Sequence, residues 1–301
     1  MINVWTRGGL SWRELVARTW RESWEDAVFG QAARLAFYHF IAIFPSILLF
    51  SFLLLRLPTL DSKLRSTLGT ALNGILPNEA GALMQAMIEK LHGTASEGIG
   101  ILTAGLGTVW AAVNGTWALM TGLNTAYEVK EERPLWKVLA IAFALTLSMA
   151  ILFGIAICAT AYGTQLAGYI ARQASSSISP FLILRLIEWP VLIVLLLVSF
   201  ALFYRFGPNL YDREWRWSTP GALLALLLWL LASWLVRLYF GRVHSYHVVY
   251  GPLEGVAMLL LWLYFTSAAI LIGGEMNSEI EKAAQHEDKP EHVAQHTREG
   301  K

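Results

Sequence analysis

The sequence predicts an all-α, polytopic membrane helix bundle: six transmembrane helices, with amphipathic helices at the interfaces. Three observations carry this reading. Hydrophobic residues make up 55% of the 301 and charged residues only 15%, where a soluble domain carries about 25% charge. Six apolar runs are long enough to cross about 30 Å of hydrocarbon, a distance that takes roughly 20 helical residues. Lys and Arg, finally, are divided unevenly between alternate connecting segments, as they are in proteins oriented across a membrane.

The runs lie at 35–57, 98–122, 135–161, 181–205, 218–240 and 250–274. The second is the least hydrophobic. Its Gly107, Ala111 and Gly115 repeat at i, i+4, i+8, a small-residue face that lets helices approach closely, which places this span at the centre of the bundle. The fifth opens on Pro220, which suits a first helical turn. With the N-terminus in the cytoplasm, the inner segments hold fifteen Lys and Arg and the outer loops five, and the other three lie within spans. That asymmetry predicts cytoplasmic N- and C-termini, and an even number of spans is consistent with it.

Residues 1–282 form one transmembrane domain in this reading. Before the first span, 11–29 has Ser11 and Glu14 at capping-box spacing. Trp12, Leu15, Val16, Trp20 and Trp24 form one broad face there, with the pairs Glu14–Arg18 and Arg21–Glu25 on the other. Such a helix either lies in the membrane interface or packs its apolar face on the bundle. The outer loop 58–97 predicts an amphipathic hairpin. The tail 283–301 is polar, and its composition predicts disorder. Its His286, His292 and His296 have no apolar face beside them to fix a helix, so they read as solvated. Cys158 stands alone in an apolar run and has no intrachain partner.

Net charge is +1 with no strongly basic segment, which gives nucleic acid no footprint. No P-loop, nucleophile elbow or zinc-type Cys/His spacing occurs. The sequence thus predicts no catalytic residue, no cofactor and no metal.

Four stretches carry a family resemblance: "LAFYHFIAIFP" at 35–45, "LNTAYEVKEERPLWK" at 123–137, "YRFGPNLYDREWRWSTPGALLALLLW" at 204–229, and "YGPLEGVAMLLLWLYFTSAAILIGGEMNSEI" at 250–280. On these the chain resembles the YihY/BrkB family of bacterial inner-membrane proteins. The last stretch is the most specific, joining a span, a Gly-Gly break and an amphipathic exit in one order. The resemblance implies six spans and an inner-membrane location. Members have been labelled ribonuclease BN, but this sequence has neither a soluble catalytic domain nor a metal cluster to support that label. A role in moving lipids or other amphiphiles has been suggested for members. His39 and Glu254 stand where the family pattern has small or apolar residues, so neither inherits a role.

Ionisable residues within spans are expensive, and by default functional. Arg56, Arg185, Glu188, Arg237 and Glu254 all fall toward the outer side. They read either as snorkelling side chains with structural salt bridges or as a polar pocket whose arginines hold an anionic head group. At the inner side, His39 is expected near Asn114 and Glu275, and Pro45 is expected to kink the first span. Two functional classes follow: a transporter or translocator of a lipid or other anionic amphiphile, or a non-transporting scaffold acting through oligomerisation. The partners expected are membrane lipids and further copies of the chain.

Overall fold

The computed structural model describes residues 9–56, 97–173, 180–210, 220–242 and 253–299. Their regular elements are seven α-helices: α1 (Trp12–Glu25), α2 (Val28–Arg56), α3 (Glu97–Ala126), α4 (Leu135–Gln173), α5 (Pro180–Phe206), α6 (Pro220–Arg242) and α7 (Leu253–Glu299). Among the described residues there is no strand. The six apolar runs of the sequence overlap helices α2 to α7. Four of these contain apolar windows of membrane-crossing length: Leu135–Ala159, Glu188–Phe206, Pro220–Tyr239 and Gly255–Ala284. In α2 the stretch Val28–Ile43 is apolar as well, and the sequence of the same helix stays largely apolar as far as Leu55. The 30 residues of α3 extend about 45 Å at 1.5 Å per residue. The predicted outer hairpin lies outside the described residues, apart from Glu97, which opens α3.

The surface shows which solvent these helices meet. Along α3, Leu102, Leu106 and Trp110 recur every fourth residue at 66–71% exposure. On α4 Leu139, Phe143, Leu147 and Ile151 form a second exposed stripe, and Leu227, Leu231 and Leu235 form a third on α6. Contiguous apolar stripes of this length are untenable in water and ordinary in lipid. Polar side chains point inward instead, where they join neighbouring helices. Thr116 on α3 bonds Thr146 on α4 at 2.8 Å. The Trp262 indole on α7 donates to Ser233 on α6 at 3.1 Å.

The axis of the bundle is α7, which packs against α1, α2, α3 and α6. Of its apolar window 39% is buried, against 11–28% for the other three. The small face of α3 is buried at Ala111 and Gly115, but it serves a pairwise contact with α2, where the His39 ring fills the space over Gly115. The sequence-based placement of α3 at the centre therefore yields to α7. A small-residue stripe marks a close approach without saying how many neighbours a helix has.

Contact between α6 and α7 is set by glycine. A Cβ on Gly221 would overlap the Gly273 carbonyl oxygen and the Asn277 side chain, and one on Gly273 would overlap the Tyr204 hydroxyl. Where α7 leaves its apolar window it remains helical to Glu299, through the tail whose composition predicts disorder. Ala283 and Ala284, the first two residues of that tail and the last two of the apolar window, are buried. At the other end, α1 stops one turn short of the predicted 29. Asp26 caps it by donating its N–H to the Glu22 carbonyl, and Ala27, at a left-handed φ of 50°, donates its own to the Trp24 carbonyl.

Gly221→Ala is expected to lower stability by about 3 kcal/mol, at the upper end of the range for forcing atoms into a packed core. A Cβ at Gly154 would meet nothing within 4 Å, so Gly154→Ala is expected to be neutral or slightly stabilising. Thermal unfolding of the detergent-solubilised variants measures both.

Candidate functional site: the polar end of the bundle

Polar residues inside this protein collect at one end, where α1 crosses the bundle and where α3, α5 and α7 finish their apolar stretches. Asn124, Glu275, Asn277, Ser278 and Glu279 are all buried there. They fall in two groups, a hydrogen-bonded clamp and an acidic cluster.

The clamp is built from the connection between α3 and α4. Arg133 forms a two-pronged pair with Glu131, Nε to Oε1 at 2.7 Å and Nη2 to Oε2 at 2.6 Å. The same guanidinium reaches the carbonyls that end α5, Gly207 at 3.0 Å and Phe206 at 3.4 Å. Cations near the C-terminal carbonyls of a helix are favourable. Asn124 donates to Glu131 at 2.9 Å and accepts the backbone N–H of Asn209 at 2.8 Å. Asn209 in turn donates to the Lys130 carbonyl at 2.9 Å. Arg133 beside it holds the Glu131 carboxyl below the usual carboxylate range. Two further bonds tie α7 into this end. The Tyr204 hydroxyl donates to the Ile270 carbonyl at 2.7 Å. Asn277 accepts the Gly221 N–H at 2.9 Å, satisfying one of the orphan donors at the start of α6.

The acidic cluster sits where α1 turns into α2. Glu275 on α7 is 0% exposed, and neither carboxylate oxygen has a hydrogen-bond partner. The Asp26 carboxyl is near enough to interact with it electrostatically, and two neighbouring carboxyls do not readily both ionise. Burial, and then the Glu128 and Glu22 carboxylates, push the Asp26 carboxyl upward. Lys282 supplies a counter-charge but is shared, meeting Glu128 and Glu279 at 2.9 Å each. Ala27 and Glu128, both at φ 50°, form the two corners flanking the cluster. Left-handed backbone at residues other than glycine persists only where the surroundings fix it.

Helix α1 is held over the cluster by one of its stripes. Leu15, Thr19 and Ser23 are buried, and Leu15 packs on Met276 and Ile280 of α7. Trp12, Val16, Trp20 and Trp24 remain exposed, and Trp20 and Trp24 gather with Phe29 at centroid distances of 5.0–6.0 Å. The single broad face of the sequence is thus two stripes, one meeting the bundle and one bearing tryptophans that suit a membrane interface.

The residues singled out in the sequence fall elsewhere for the most part. By the directions of their helices, Arg56, Arg185, Glu188, Arg237 and Glu254 lie away from α1. Arg237 is exposed and Glu188 half-buried, while the side chains of Arg56, Arg185, Glu254 and Pro45 lie outside what the structure describes. His39 packs on Gly115. Asn114 turns back to the Trp110 carbonyl of its own helix at 2.7 Å. Glu275 alone of the predicted inner group stands in the cluster. The sequence reading missed Asp26, Asn124, Arg133, Tyr204 and Asn277. A signal existed for Asn124 and Asn277, since an amide at the end of an apolar run needs a partner.

A family model described as Virulence factor BrkB matches residues 19–298. This chain belongs to that family. Among its relatives is a ribonuclease-like protein, YfkH, of Bacillus subtilis (strain 168), 28% identical over 264 residues that cover 86% of this chain and 92% of that one. UPF0761 membrane protein Smlt0865 of Stenotrophomonas maltophilia (strain K279a) is 26% identical over 265 residues, 87% of this chain and 59% of the relative. A UPF0761 membrane protein of Pseudoalteromonas translucida (strain TAC 125) is 28% identical over 169 residues, 56% of this chain and 54% of its own length. The chain thus spans somewhat over half of these two UPF0761 relatives. No solved structure matches it. The BrkB match includes the clamp, the acidic cluster and all but the first turns of α1.

Two outcomes follow from this end of the bundle. Arg133→Ala is expected to cost about 2–3 kcal/mol, because it strands Glu131 and two helix-ending carbonyls together, and chemical unfolding in detergent reads the loss. For Asp26 the sign is opposite to that of a salt-bridged acid. A raised carboxyl contributes stability that is lost as pH rises through its folded value. Asp26→Asn, which cannot ionise, is expected to flatten that decline, so that melting temperature across a pH series rising from the free-carboxyl value of 3.8 falls less in the variant.

Proposed function

We propose that this BrkB-family membrane protein is a translocator of an anionic amphiphile, a lipid by preference, driven by movement of a proton. Its setting in this reading is the bacterial inner membrane with both termini cytoplasmic, supported by the fifteen-to-five division of Lys and Arg. The observation that carries the proposal is Glu275. A fully buried carboxyl without a hydrogen-bond partner is costly as structure alone, and acids at such positions in membrane helices serve as proton relays. Asp26 nearby supplies a second carboxyl to exchange that proton with, and Glu22 and Glu128 beside it lead toward the aqueous side. The chain contains no ATP-binding motif, so an ion gradient is the energy source that fits. A non-enzymatic role agrees with this arrangement, and the ribonuclease-like wording belongs to the relative that bears it.

A second reading, a non-transporting scaffold, is favoured by one specific feature: the interlock of Gly221 with Gly273 leaves no space between α6 and α7 for a passenger. Reconstitution separates the two. In proteoliposomes containing a fluorescent phosphatidylglycerol, the protein is expected to move label between leaflets, faster with an imposed pH gradient. Glu275→Gln, which keeps the shape and removes the titratable proton, is expected to abolish the gradient dependence. Absence of label movement in a folded wild-type protein would overturn translocation and leave the scaffold.

A further inference from the structure

Between the start of α4 and the end of α5, at the same end of the bundle as α1, lies a cavity of about 350 Å³ lined by Arg133, Lys137, Ile141, Arg205 and Phe206 among others. We infer that this cavity binds the phosphate-bearing head group of an anionic phospholipid from the leaflet on the α1 side. The site is separate from Glu275, and binding there does not require that the protein transport anything.

The charges in the lining are unequally committed. Arg133 is neutralised by Glu131 and gives two further N–H groups to the carbonyls ending α5. Arg205 is different. Its guanidinium lies 6.0 Å over the Phe206 ring, and its Nε is buried with no hydrogen-bond partner. Lys137 is exposed, one turn into α4, and has no ion pair among the described residues. Glu132 is the acid in the lining, and no ion pair joins it to Arg205 or Lys137 among the described residues. Two cations thus face a hollow with no acid assigned to them. A buried guanidinium N–H left unpaired is costly, and an anionic oxygen is the group that satisfies it and Lys137 together. The positive end of the α4 dipole adds to the same preference.

The surroundings select a lipid over a soluble anion. Leu135 and Trp136, which lie in sequence between the lining residues Pro134 and Lys137, are 60% and 69% exposed. A tryptophan beside basic residues at the end of a membrane span marks head-group depth. Ile141 closes the cavity on the side of the apolar window that begins at Leu135, so a ligand leaving the cavity in that direction enters hydrocarbon. Basic pockets between transmembrane helices at this level suit anionic head groups.

Native mass spectrometry of the full chain in nanodiscs tests the assignment. With an equimolar mixture of phosphatidylglycerol and phosphatidylcholine, the wild type is expected to retain phosphatidylglycerol about tenfold more, the discrimination that one charge-assisted contact provides. Lys137→Glu changes an exposed side chain and is expected to fold and to lose most of that preference. Arg205→Gln is expected to lose it as well, with its thermal unfolding showing whether it remains folded. Equal retention of the two lipids by the wild type, or an unchanged preference in Lys137→Glu, overturns the inference. So does displacement of phosphatidylglycerol by millimolar inorganic phosphate, which would make this a soluble-phosphate site. The measurement uses neither a gradient nor label movement, so it fails independently of translocation, and Glu275→Gln is expected to leave it unchanged.

Discussion

The close approach of α6 to α7 at Gly221 and Gly273 is the constraint on which the polar end of the molecule depends. Without side chains at these two positions the helices meet backbone to backbone. That proximity brings Asn277 within reach of the first N–H groups of α6 and Tyr204 within reach of the Ile270 carbonyl. In lipid such groups have no water to fall back on, and every backbone donor and acceptor must find a partner within the protein. The glycines thus determine which polar atoms can be satisfied, and through α7 they set the height of Glu275 against α1.

Charge at this end is sorted by position. The basic groups Arg133, Lys137 and Arg205 lie along the α4–α5 side, while Glu22, Asp26, Glu128, Glu275 and Glu279 lie beneath α1 with Lys282. The connection between α3 and α4 divides them, with Glu128 on one side and Arg133 on the other, five residues apart in sequence. A short loop thereby separates an acid-lined region from a base-lined one. Burial, and then its like-charged neighbours, raise the Asp26 carboxyl, while Glu131 beyond the same divide is lowered by its arginine.

Much of the fold was legible because membrane helices announce themselves by length and hydropathy, and α4 to α7 follow directly from their apolar runs. Ser11 and Glu14 marked the start of α1 for the same kind of local reason, and the Ser11 hydroxyl accepts from the Glu14 N–H at 3.2 Å. What was not legible depends on how helices are rotated about their axes. Trp12, Leu15, Val16, Trp20 and Trp24 form one face by periodicity, yet only Leu15 of them is buried, because α7 presents a narrow ridge at Met276 and Ile280. Glu275 was recognisable as an acid at a span end. Its neighbour Asp26 was not, since it precedes the first span by nine residues and reaches Glu275 only through the turn at Ala27. The outer arginines drew attention because charge within an apolar run stands out. Asn124 and Arg133 lie at loop edges, where polarity is ordinary, so their roles appear only once α3, α4 and α5 are brought together.

The two stripes of α1 have a mechanical consequence. A short rigid rod is attached to the protein along one side and bears exposed tryptophans along the other. Its Leu15 side is seated on the same helix that carries Glu275. A force on the tryptophan side therefore acts on the rod as a torque about the corner at Ala27. Asp26 is the residue next to that pivot. The tryptophan stripe and the spacing of two acids thus share one corner of the chain.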